Sequence, residues 1–449
     1  MHMPEDLKKG ADHKGNEVST VFFREYRRST WYYQFSEVLE VSNAESKFTF
    51  RVKPQPHGLL YTDLNQRLPQ VVCRDGYEAR WCHNPASNVV VSGMFVHNDT
   101  PIQTIDQVGN DMYGQSMIKD DRDTRDLNMG NSVLLQSWNS ALPNFETSFM
   151  LPWFYAKNSA SYFPLYFCGI LDRIEHRMEL RRDVGQLLHV REKKTGEAVA
   201  PDSKSLKSFD GKAVTQSPRM PVPTMWGQYL YLSDLECTGN RCAVGSDREI
   251  GDFRNIFYID DYIIVDEENP KALGDSVCLK ISQTDYPVHG IGWVAQNYEA
   301  LRDGYYSNYT TNPDDHQEGW SPIEESSLDL GSKVRILTKM PSYRTERVLP
   351  GKQYACVPRV PGFNFVSLAV YSPEDTHKPG VVIKNGELTV KLRDTNPLVG
   401  IRDGQKASSS TFLVKARLSY TKRVVFKEFL TQESQRTTKN SVIEIGGQA

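Results

Sequence analysis

The sequence predicts an all-β protein in which two strand-rich domains follow one another. The chain of 449 residues contains 22 Tyr, 19 Phe and 7 Trp, which are residue types that favour strands. Short apolar runs alternate with clusters of Pro, Gly, Asn and Asp, as in sandwiches built from short strands. These runs form two successive sets of about eight each. Because a chain of this length is large for one core, two domains are expected.

The first domain is expected over residues 19–235, after a flexible arm at 1–18. Residues 48–52 alternate strictly between apolar and polar types, which is typical of a half-buried strand. The polar segment 191–223 is expected to be an outward loop, with plain disorder as the alternative. Residues 106–131 are expected to form a solvated loop, because the acidic run 120–126 lacks the glycine and glutamate of a calcium loop. Candidate strands are 31–41, 47–52, 58–61, 88–96, 173–180 and 225–232.

The second domain is expected over residues 253–430, between a polar connector at 236–252 and a tail at 431–449. Asn385 and Gly386 separate two strand-like runs, which predicts a hairpin turn. Cys237 and Cys242 in the connector have no second cysteine or histidine pair nearby, so a zinc site there is not expected. Candidate strands are 254–265, 277–281, 289–295, 332–338, 364–371, 386–392 and 410–425.

Composition excludes several classes of protein. The net charge of −3 provides no basic field for wrapping a nucleic acid. Seven scattered cysteines fit reduced thiols better than a secreted disulfide framework. The first thirty residues lack the apolar run of a signal peptide, and no stretch has the roughly 20 apolar residues of a membrane span. Two glycosylation sequons, at Asn98 and Asn308, would matter only on a secretory route.

Residues 151–167 are the most distinctive stretch of the chain. It consists of an aromatic block that begins after Pro152, a polar turn, and a second aromatic block that contains Pro164. A helix is not expected, because Pro164 lacks a backbone donor and aromatic side chains lose χ1 freedom in helices. Two buried strands, or one strand and a packed loop, are predicted instead.

The spacing of this stretch resembles a motif in the major capsid proteins of nucleocytoplasmic large DNA viruses, such as iridoviruses and phycodnaviruses. The family motif reads Leu-Pro-x-Phe-Phe/Trp-Phe, a short turn and Ala-Leu-Pro-Leu; the family usually has a glycine in the turn, where this chain has Ser159-Ala160-Ser161. A second stretch is similar to the opening of the family's first barrel. The matching residues here are Pro152, Trp153, Phe154, Tyr155, Phe163, Pro164 and Leu165 in the first motif, and Phe22, Phe23, Tyr26, Arg27, Arg28 and Trp31 in the second.

This resemblance implies two consecutive eight-stranded jelly-roll barrels, a double jelly roll, which strand patterning alone does not distinguish from other sandwiches. It implies a structural capsid protein that self-assembles into pseudo-hexagonal homotrimeric capsomers tiling an icosahedral shell. The implied partners are further copies of the chain, minor capsid proteins and an internal membrane layer, without direct nucleic-acid binding. The implied location is the virion capsid, assembled in the host cytoplasm.

No enzyme is expected, and neither catalytic, cofactor-binding nor metal-binding residues are predicted. The sequence has no nucleophile elbow, phosphate-binding loop, zinc-protease motif or dinucleotide fingerprint. His176 lies in an alternating strand, where a surface or interface position is expected. The carboxylates of Asp260 and Asp261 should point to opposite faces of a strand. Two alternatives remain: a scaffold or minor capsid paralogue of the same viruses, and a carbohydrate-binding jelly-roll protein.

Overall fold

The structure, a computed structural model, describes most of the chain as two compact units. The first unit comprises 33–110, 123–259 and the part of the chain from 423 onward, and the second comprises 111–122 and 260–422. The two domains expected from the sequence, at residues 19–235 and 253–430, remain a prediction. The described residues are 33–55, 58–117, 119–156, 162–168, 171–234, 237, 255–282, 284–314, 319–331, 335–354, 356–369, 380–394, 410–427 and 442–446.

Short antiparallel strands make up most of the first unit. Its strands are β1 (Tyr33–Val38), β2 (Glu40–Ala44), β3 (Lys47–Val52), β4 (Gly58–Leu68), β5 (Val71–Cys73), β6 (Tyr77–Trp81), β7 (Val90–His97), β8 (Thr100–Asp106), β9 (Ala141–Leu142), β10 (Phe145–Phe149), β11 (Phe163–Pro164), β12 (Ile174–Leu180), β13 (Leu188–Glu192), β14 (Ala198–Val199), β15 (Leu206–Phe209), β16 (Lys212–Ala213) and β17 (Thr224–Tyr231). Its short helices are α1 (Pro85–Val89) and α4 (Val133–Gln136), with 3₁₀ turns at Leu165–Phe167 and Val184–Gln186.

Two main sheets form the body of this unit. One has the order β1-β17-β4-β10, with β11 also paired to β4, and the other has the order β2-β3-β12-β7-β8. In β4 every second residue is buried, from Leu60 through Thr62 to Leu64, as expected for a strand with one face against a core. The alternating strand predicted at residues 47–52 is confirmed as β3, in which Phe48 and Phe50 are buried.

The polar segment 191–223 is only partly a loop. It contains the end of β13 and all of β14, β15 and β16, which belong to two small sheets with the orders β14-β13-β6 and β16-β15-β5-β9. Leu206, Phe209 and Met220 are buried. These three apolar side chains, widely spaced among polar ones, anchor a segment whose average composition predicts a loop.

The solvated loop expected at 106–131 is wrong. Helices α2 (Gln107–Ser116) and α3 (Lys119–Asn128) occupy it instead. Asp120 and Asp121 lie in the first turn of α3 and Arg125 in its last, an order that complements the helix dipole. The buried Arg125 guanidinium donates to the main-chain and side-chain oxygens of Asn110, at 3.2 and 3.0 Å. Hydrogen bonds to charged side chains, rather than an apolar stripe, hold this helix in place.

The second unit is also built mainly from antiparallel strands. They are β18 (Asn255–Asp266), β19 (Lys271–Ala272), β20 (Ser276–Ile281), β21 (Val288–Asn297), β22 (Ile323–Asp329), β23 (Arg335–Pro341), β24 (Asn364–Ser367), β25 (Gly386–Leu392) and β26 (Thr411–Lys427). The first residues of β18 and the last residues of β26 are assigned to the first unit, together with β27 (Val442–Gly446), which pairs in parallel with those last residues of β26. Helices α5 (Tyr298–Arg302) and α6 (Leu349–Gln353) and a π-helical turn (Arg344–Val348) complete the second unit.

The core of the second unit lies between two sheets. One sheet has the order β18-β26-β21-β24, and the other has the order β20-β25-β22-β23. A single apolar cluster takes residues from both, including Trp293 of β21 and Leu388 of β25. The indole nitrogen of Trp293 donates to Ser326 Oγ of β22 at 3.0 Å, a buried hydrogen bond between the two sheets. The second unit is therefore a sandwich with one continuous core.

The hairpin predicted at Asn385 and Gly386 does not form. Gly386 begins β25, which pairs with β20 and β22 rather than with the residues just before it. The residues just before Gly386 bond instead to a distant segment: Thr284 N donates to Ile383 O at 2.8 Å, and Ile383 N donates to the Thr284 hydroxyl at 2.9 Å. Long-range pairing therefore decides the path of the chain here, although the dipeptide is a typical turn sequence.

Six cysteines lie in the described part of the chain, where none of them is joined to another by a disulfide: Cys73, Cys82, Cys168, Cys237, Cys278 and Cys356. The seventh, Cys242, lies outside the described residues, as do the predicted arm and most of the connector. Within the described ranges, no helix is long and apolar enough to cross a membrane.

Candidate functional site

The central aromatic motif forms a buried turn of the first unit. Residues 151–156 lie between β10 and β11 and are all buried. The backbone closes on itself twice, since Trp153 N donates to Leu151 O at 2.7 Å and Ala156 N to Trp153 O at 2.9 Å. Of the two predicted forms, the structure has the strand with a packed loop: β11 contains only Phe163 and Pro164.

Phe95 of β7 lies at the centre of the aromatic side chains. Its ring is 5.1 Å from that of Phe163, 5.5 Å from that of Tyr155 and 5.7 Å from that of Phe154, centroid to centroid, in edge-on arrangements. Trp153 packs against the same ring at 6.3 Å. Edge-to-face geometry aligns positive ring edges with negative faces and adds about 0.5–1.5 kcal/mol per pair to the burial itself. We call these five side chains the aromatic cluster.

One hydroxyl group in the aromatic cluster joins the two main sheets. The Tyr155 hydroxyl lies 2.7 Å from Thr62 Oγ1 of β4 and 3.2 Å from His176 Nε2 of β12. Strand β4 belongs to one main sheet and β12 to the other. All three side chains are buried away from water, so these contacts replace the hydrogen bonds to water that they lose on folding. The motif therefore fastens one sheet to the other.

Gln103 of β8 supports the turn through its side-chain amide. Its Oε1 accepts from Phe154 N at 2.8 Å, and its Nε2 donates to Pro152 O at 3.4 Å. Both main-chain groups are buried in a segment without regular strand partners, so the amide replaces the missing strand. Sequence reasoning did not select Gln103, Thr62 or His176, because only the fold brings them next to the motif.

The phenol of Tyr155 and its neighbour, the imidazole of His176, are held uncharged. Burial lowers the pKa of His176 from 6.5 to about 3 and raises the pKa of Tyr155 well above its usual value. The surface or interface position expected for His176 is wrong, since its side chain is fully buried and its ring contacts Phe95 at 5.0 Å. A neutral imidazole and a neutral phenol between two sheets can order a core, but they do not exchange protons readily at neutral pH.

Glu175, next to His176, points the other way and holds a group of arginines. Its buried carboxylate lies 2.8 Å from Arg177 Nη2 and 3.4 Å from Arg51 Nε, with Arg173 Nε at 3.8 Å. Arg51 faces Glu175 directly across the β3–β12 pair. The guanidinium groups remain partly in water, and their ion pairs with the buried carboxylate link β3 and β12 on the outer face of this sheet.

Three potential metal ligands lie together at one end of the same unit. His97, Cys168 and Asp172 each offer one ligand atom, and these atoms lie within 4.8 Å of one another. No metal residues are expected from the sequence: Cys168 and Asp172 are four residues apart, but His97 lies 71 residues before Cys168. Cys237 is buried, and Cys242, the other cysteine of the connector, lies outside the described residues.

The structure brings together the seven predicted residues of the central motif, including Pro152, Pro164 and Leu165, which are also buried. Their side chains lie within the first unit, so an effect on assembly would act through the shape of that unit. The predicted residues of the opening motif lie outside the described residues: Phe22, Phe23, Tyr26, Arg27, Arg28 and Trp31.

Comparison with known proteins identifies similar structures. No family model and no curated protein matches the chain. The capsid of PBCV-1 virus is similar in structure, with a TM-score of 0.62 at 13% identity over 90% of this chain and 96% of that one. The Faustovirus major capsid protein gives 0.64 at 8% identity, over 91% and 93% of the two chains. The chain therefore has the double jelly-roll fold that these viral capsid proteins share, and the fold class expected from the sequence is confirmed.

Proposed function

We propose that this chain is the structural capsid protein of a large DNA virus, with three copies forming a pseudo-hexagonal capsomer that tiles an icosahedral shell. The observation that carries the proposal is the extent of the structural likeness. It covers nine-tenths of this chain and at least 93% of the PBCV-1 and Faustovirus capsid chains. A trimer of double barrels has six similar lobes, which suits hexagonal packing in a flat layer.

Exposed apolar side chains on two edge strands support self-association. β1 and β2 are each at the edge of a main sheet of the first unit. Tyr33, Val38 and Val41 on these strands are about half exposed, at 53%, 50% and 44%. Apolar edge strands are prone to pair with other chains, so natural proteins usually cover or charge them. A second copy of the chain is the proposed cover.

The proposal includes a non-enzymatic role and a place in the virion. Tyr155 of the aromatic cluster and its hydrogen-bond partner His176 are held neutral and serve packing. Free thiols in the described residues suit assembly in the reducing host cytoplasm. Minor capsid proteins and a membrane layer beneath the shell are the further proposed partners, with lattice contacts that salt would modulate, given the net charge of −3.

The solution mass of the purified chain tests the proposal. Light scattering should give about three times 51.2 kDa, and negative-stain images of that peak should show hexagonal particles. A stable monomer over a range of salt and protein concentrations would contradict the capsomer. Copy number in purified particles then separates a main-shell protein from a minor capsid paralogue, and a glycan array tests the carbohydrate-binding alternative.

A further inference from the structure

Three different ligand types converge where β7 ends and β12 begins. His97 is the last residue of β7, Cys168 follows the 3₁₀ turn Leu165–Phe167, and Asp172 lies two residues before β12. The ligand atoms of the three side chains all lie within 4.8 Å of one another. His97 and Cys168 are buried and Asp172 is nearly so, with 10% of its side chain exposed.

Asn98 holds the aspartate in position. Its Nδ2 donates to Asp172 Oδ1 at 2.9 Å, while its Oδ1 accepts from Arg173 N at 2.7 Å. Asn98 N also donates to Arg173 O at 2.8 Å, so three hydrogen bonds fix the turn after β7 to this segment. The other carboxylate oxygen, Asp172 Oδ2, is thereby turned toward His97 Nε2, 3.0 Å away. Such outer hydrogen bonds orient the ligands in metal sites.

The chemistry of the three side chains selects zinc. Thiolate, imidazole and carboxylate are all ligands of Zn²⁺, and the thiolate disfavours the hard ions Mg²⁺ and Ca²⁺. Tetrahedral zinc, with bonds of about 2.0–2.3 Å, separates its ligand atoms by about 3–4 Å. The observed cluster accommodates this spacing after a small opening of the His97–Asp172 contact.

We propose that His97, Cys168 and Asp172 form a zinc site with three protein ligands, which ties the β7–β8 turn to the segment before β12. A water molecule supplies the fourth ligand. Its proposed role is structural, because it lies beside the end of the β7–β12 ladder, at the His97–Ile174 pair, and joins the turn after β7 to the residues just before β12. This inference is independent of the proposed capsid function, because it concerns the stability of one unit and not its association.

The competing explanation is a metal-free contact in which His97 and Asp172 form a hydrogen-bonded pair and Cys168 is a small buried side chain. Metal analysis of the full-length chain, purified without chelator, separates the two. The zinc site predicts about one zinc per chain, removed by chelator and restored on adding Zn²⁺, with a higher melting temperature in the restored protein. Cobalt in place of zinc should give the absorption of a thiolate-to-cobalt charge transfer.

Matched variants identify the ligands. Cys168→Ser should lower the affinity for zinc at least about tenfold and abolish the thiolate-to-cobalt absorption band. Asp172→Asn should lower the affinity for zinc similarly. Cys73→Ser removes another buried thiol of the same unit and should change neither result. The proposal is overturned if the unsubstituted chain shows no zinc, no stabilisation and no thiolate band. It is equally overturned if Cys168→Ser responds to zinc as Cys73→Ser does. The cobalt spectrum of the unsubstituted chain decides the matter even if a variant fails to fold.

Discussion

At the scale of single residues, Tyr155 does more than its apolar area suggests. Its ring belongs to the aromatic cluster around Phe95, and its hydroxyl lies between Thr62 and His176 on opposite sheets. The sequence motif locates the tyrosine, because its spacing between two prolines is distinctive. It does not identify the partners, which are contributed by strands 93 residues earlier and 21 residues later.

Tyr155→Phe should destabilise the protein while leaving the packing of the ring in place. Removing the hydroxyl leaves Thr62 and His176 buried without their shared partner, which should cost about 1–3 kcal/mol of unfolding free energy. Denaturant unfolding, followed by tryptophan fluorescence, measures the loss. Tyr162→Phe, at a half-buried position near Tyr61, is the control and should change little. Equal losses for both variants would show that the bridging hydroxyl is not special.

The buried histidine gives a pH dependence with a definite sign. Because the pKa of His176 falls from 6.5 to about 3 on folding, only the unfolded chain takes up its proton between these values. Stability is therefore full above about pH 6.5 and falls as the pH decreases, by about 2 kcal/mol at pH 5 for this group. His189, whose pKa is also lowered to about 3, acts in the same direction.

Comparison with His176→Gln isolates this contribution. Glutamine does not titrate, so the difference in unfolding free energy between pH 7.5 and pH 5 should be about 2 kcal/mol smaller in the variant. The measurement is urea unfolding at both pH values under constant ionic strength. An unchanged pH dependence would mean that the imidazole is not kept neutral by the fold.

The sequon at Asn308 should not carry a glycan in the folded protein. Asn308 is buried, and its Nδ2 donates to Asn312 O at 2.8 Å and to Pro313 O at 3.2 Å. Its Oδ1 accepts from Thr310 N and Oγ1, both at 3.0 Å. A sugar on Nδ2 would break these contacts. Peptide mass spectrometry of folded protein from a glycosylating host should find Asn308 unmodified, and a high occupancy would contradict the structure.

At the scale of secondary-structure elements, sequence pattern predicts strands that have one buried and one exposed face. β3 and β25 follow their predicted bounds because alternation sets the register of such strands. Helices α2 and α3 were not predictable in the same way, since their buried side chains include Asn110, Asp111 and Arg125. Those polar groups are buried only because the fold supplies hydrogen-bond partners for them.

Strand β21 is the opposite case, buried at all ten positions. Its glycines make room for neighbouring side chains: a Cβ at Gly292 would lie 2.8 Å from the Phe365 ring of the paired strand β24. Gly292→Ala should therefore destabilise the second unit by about 1–3 kcal/mol through overpacking.

Gly351→Ala is the matched control for this prediction. Gly351 is exposed within helix α6, and its Cβ would meet only a side-chain carbon of Val357 at 3.3 Å. Alanine favours helices over glycine, so this variant should be neutral or slightly stabilised. Differential scanning calorimetry measures the melting temperatures of the Gly292→Ala and Gly351→Ala variants. Similar melting temperatures for the two would show that β21 tolerates a larger side chain.

At the scale of the whole molecule, the sequence predicts two strand-rich domains, and the structure contains two compact units with the fold of viral capsid proteins. Strand patterning alone did not choose the jelly roll over other sandwiches, because the order of strands in a sheet depends on contacts distant in sequence. The resemblance of residues 151–167 to a family motif supplied that choice. The same fold persists at 8–13% identity because a sandwich core requires apolar volume at the right places rather than particular residues.

The exposed edge strands of the first unit give the sharpest test of assembly. Val38→Asp combined with Val41→Asp places two charges where an apolar surface is proposed to contact another copy. Because each valine contributes about 1.5 kcal/mol when fully buried, the association constant of the capsomer should fall at least about a hundredfold. Light scattering across a dilution series measures the fall, and circular dichroism checks that both strands remain folded.

The control changes an equally apolar surface elsewhere in the same unit. Val133 and Leu134 of α4 are exposed, at 82% and 60%, so Val133→Asp with Leu134→Asp adds the same charge. This control should retain a mass of about three times 51.2 kDa. If instead the control dissociates and the edge-strand variant does not, copies meet through α4 and not through β1 and β2. Since the two double variants have the same net charge, a difference between them reflects the position of the contact and not a general electrostatic repulsion.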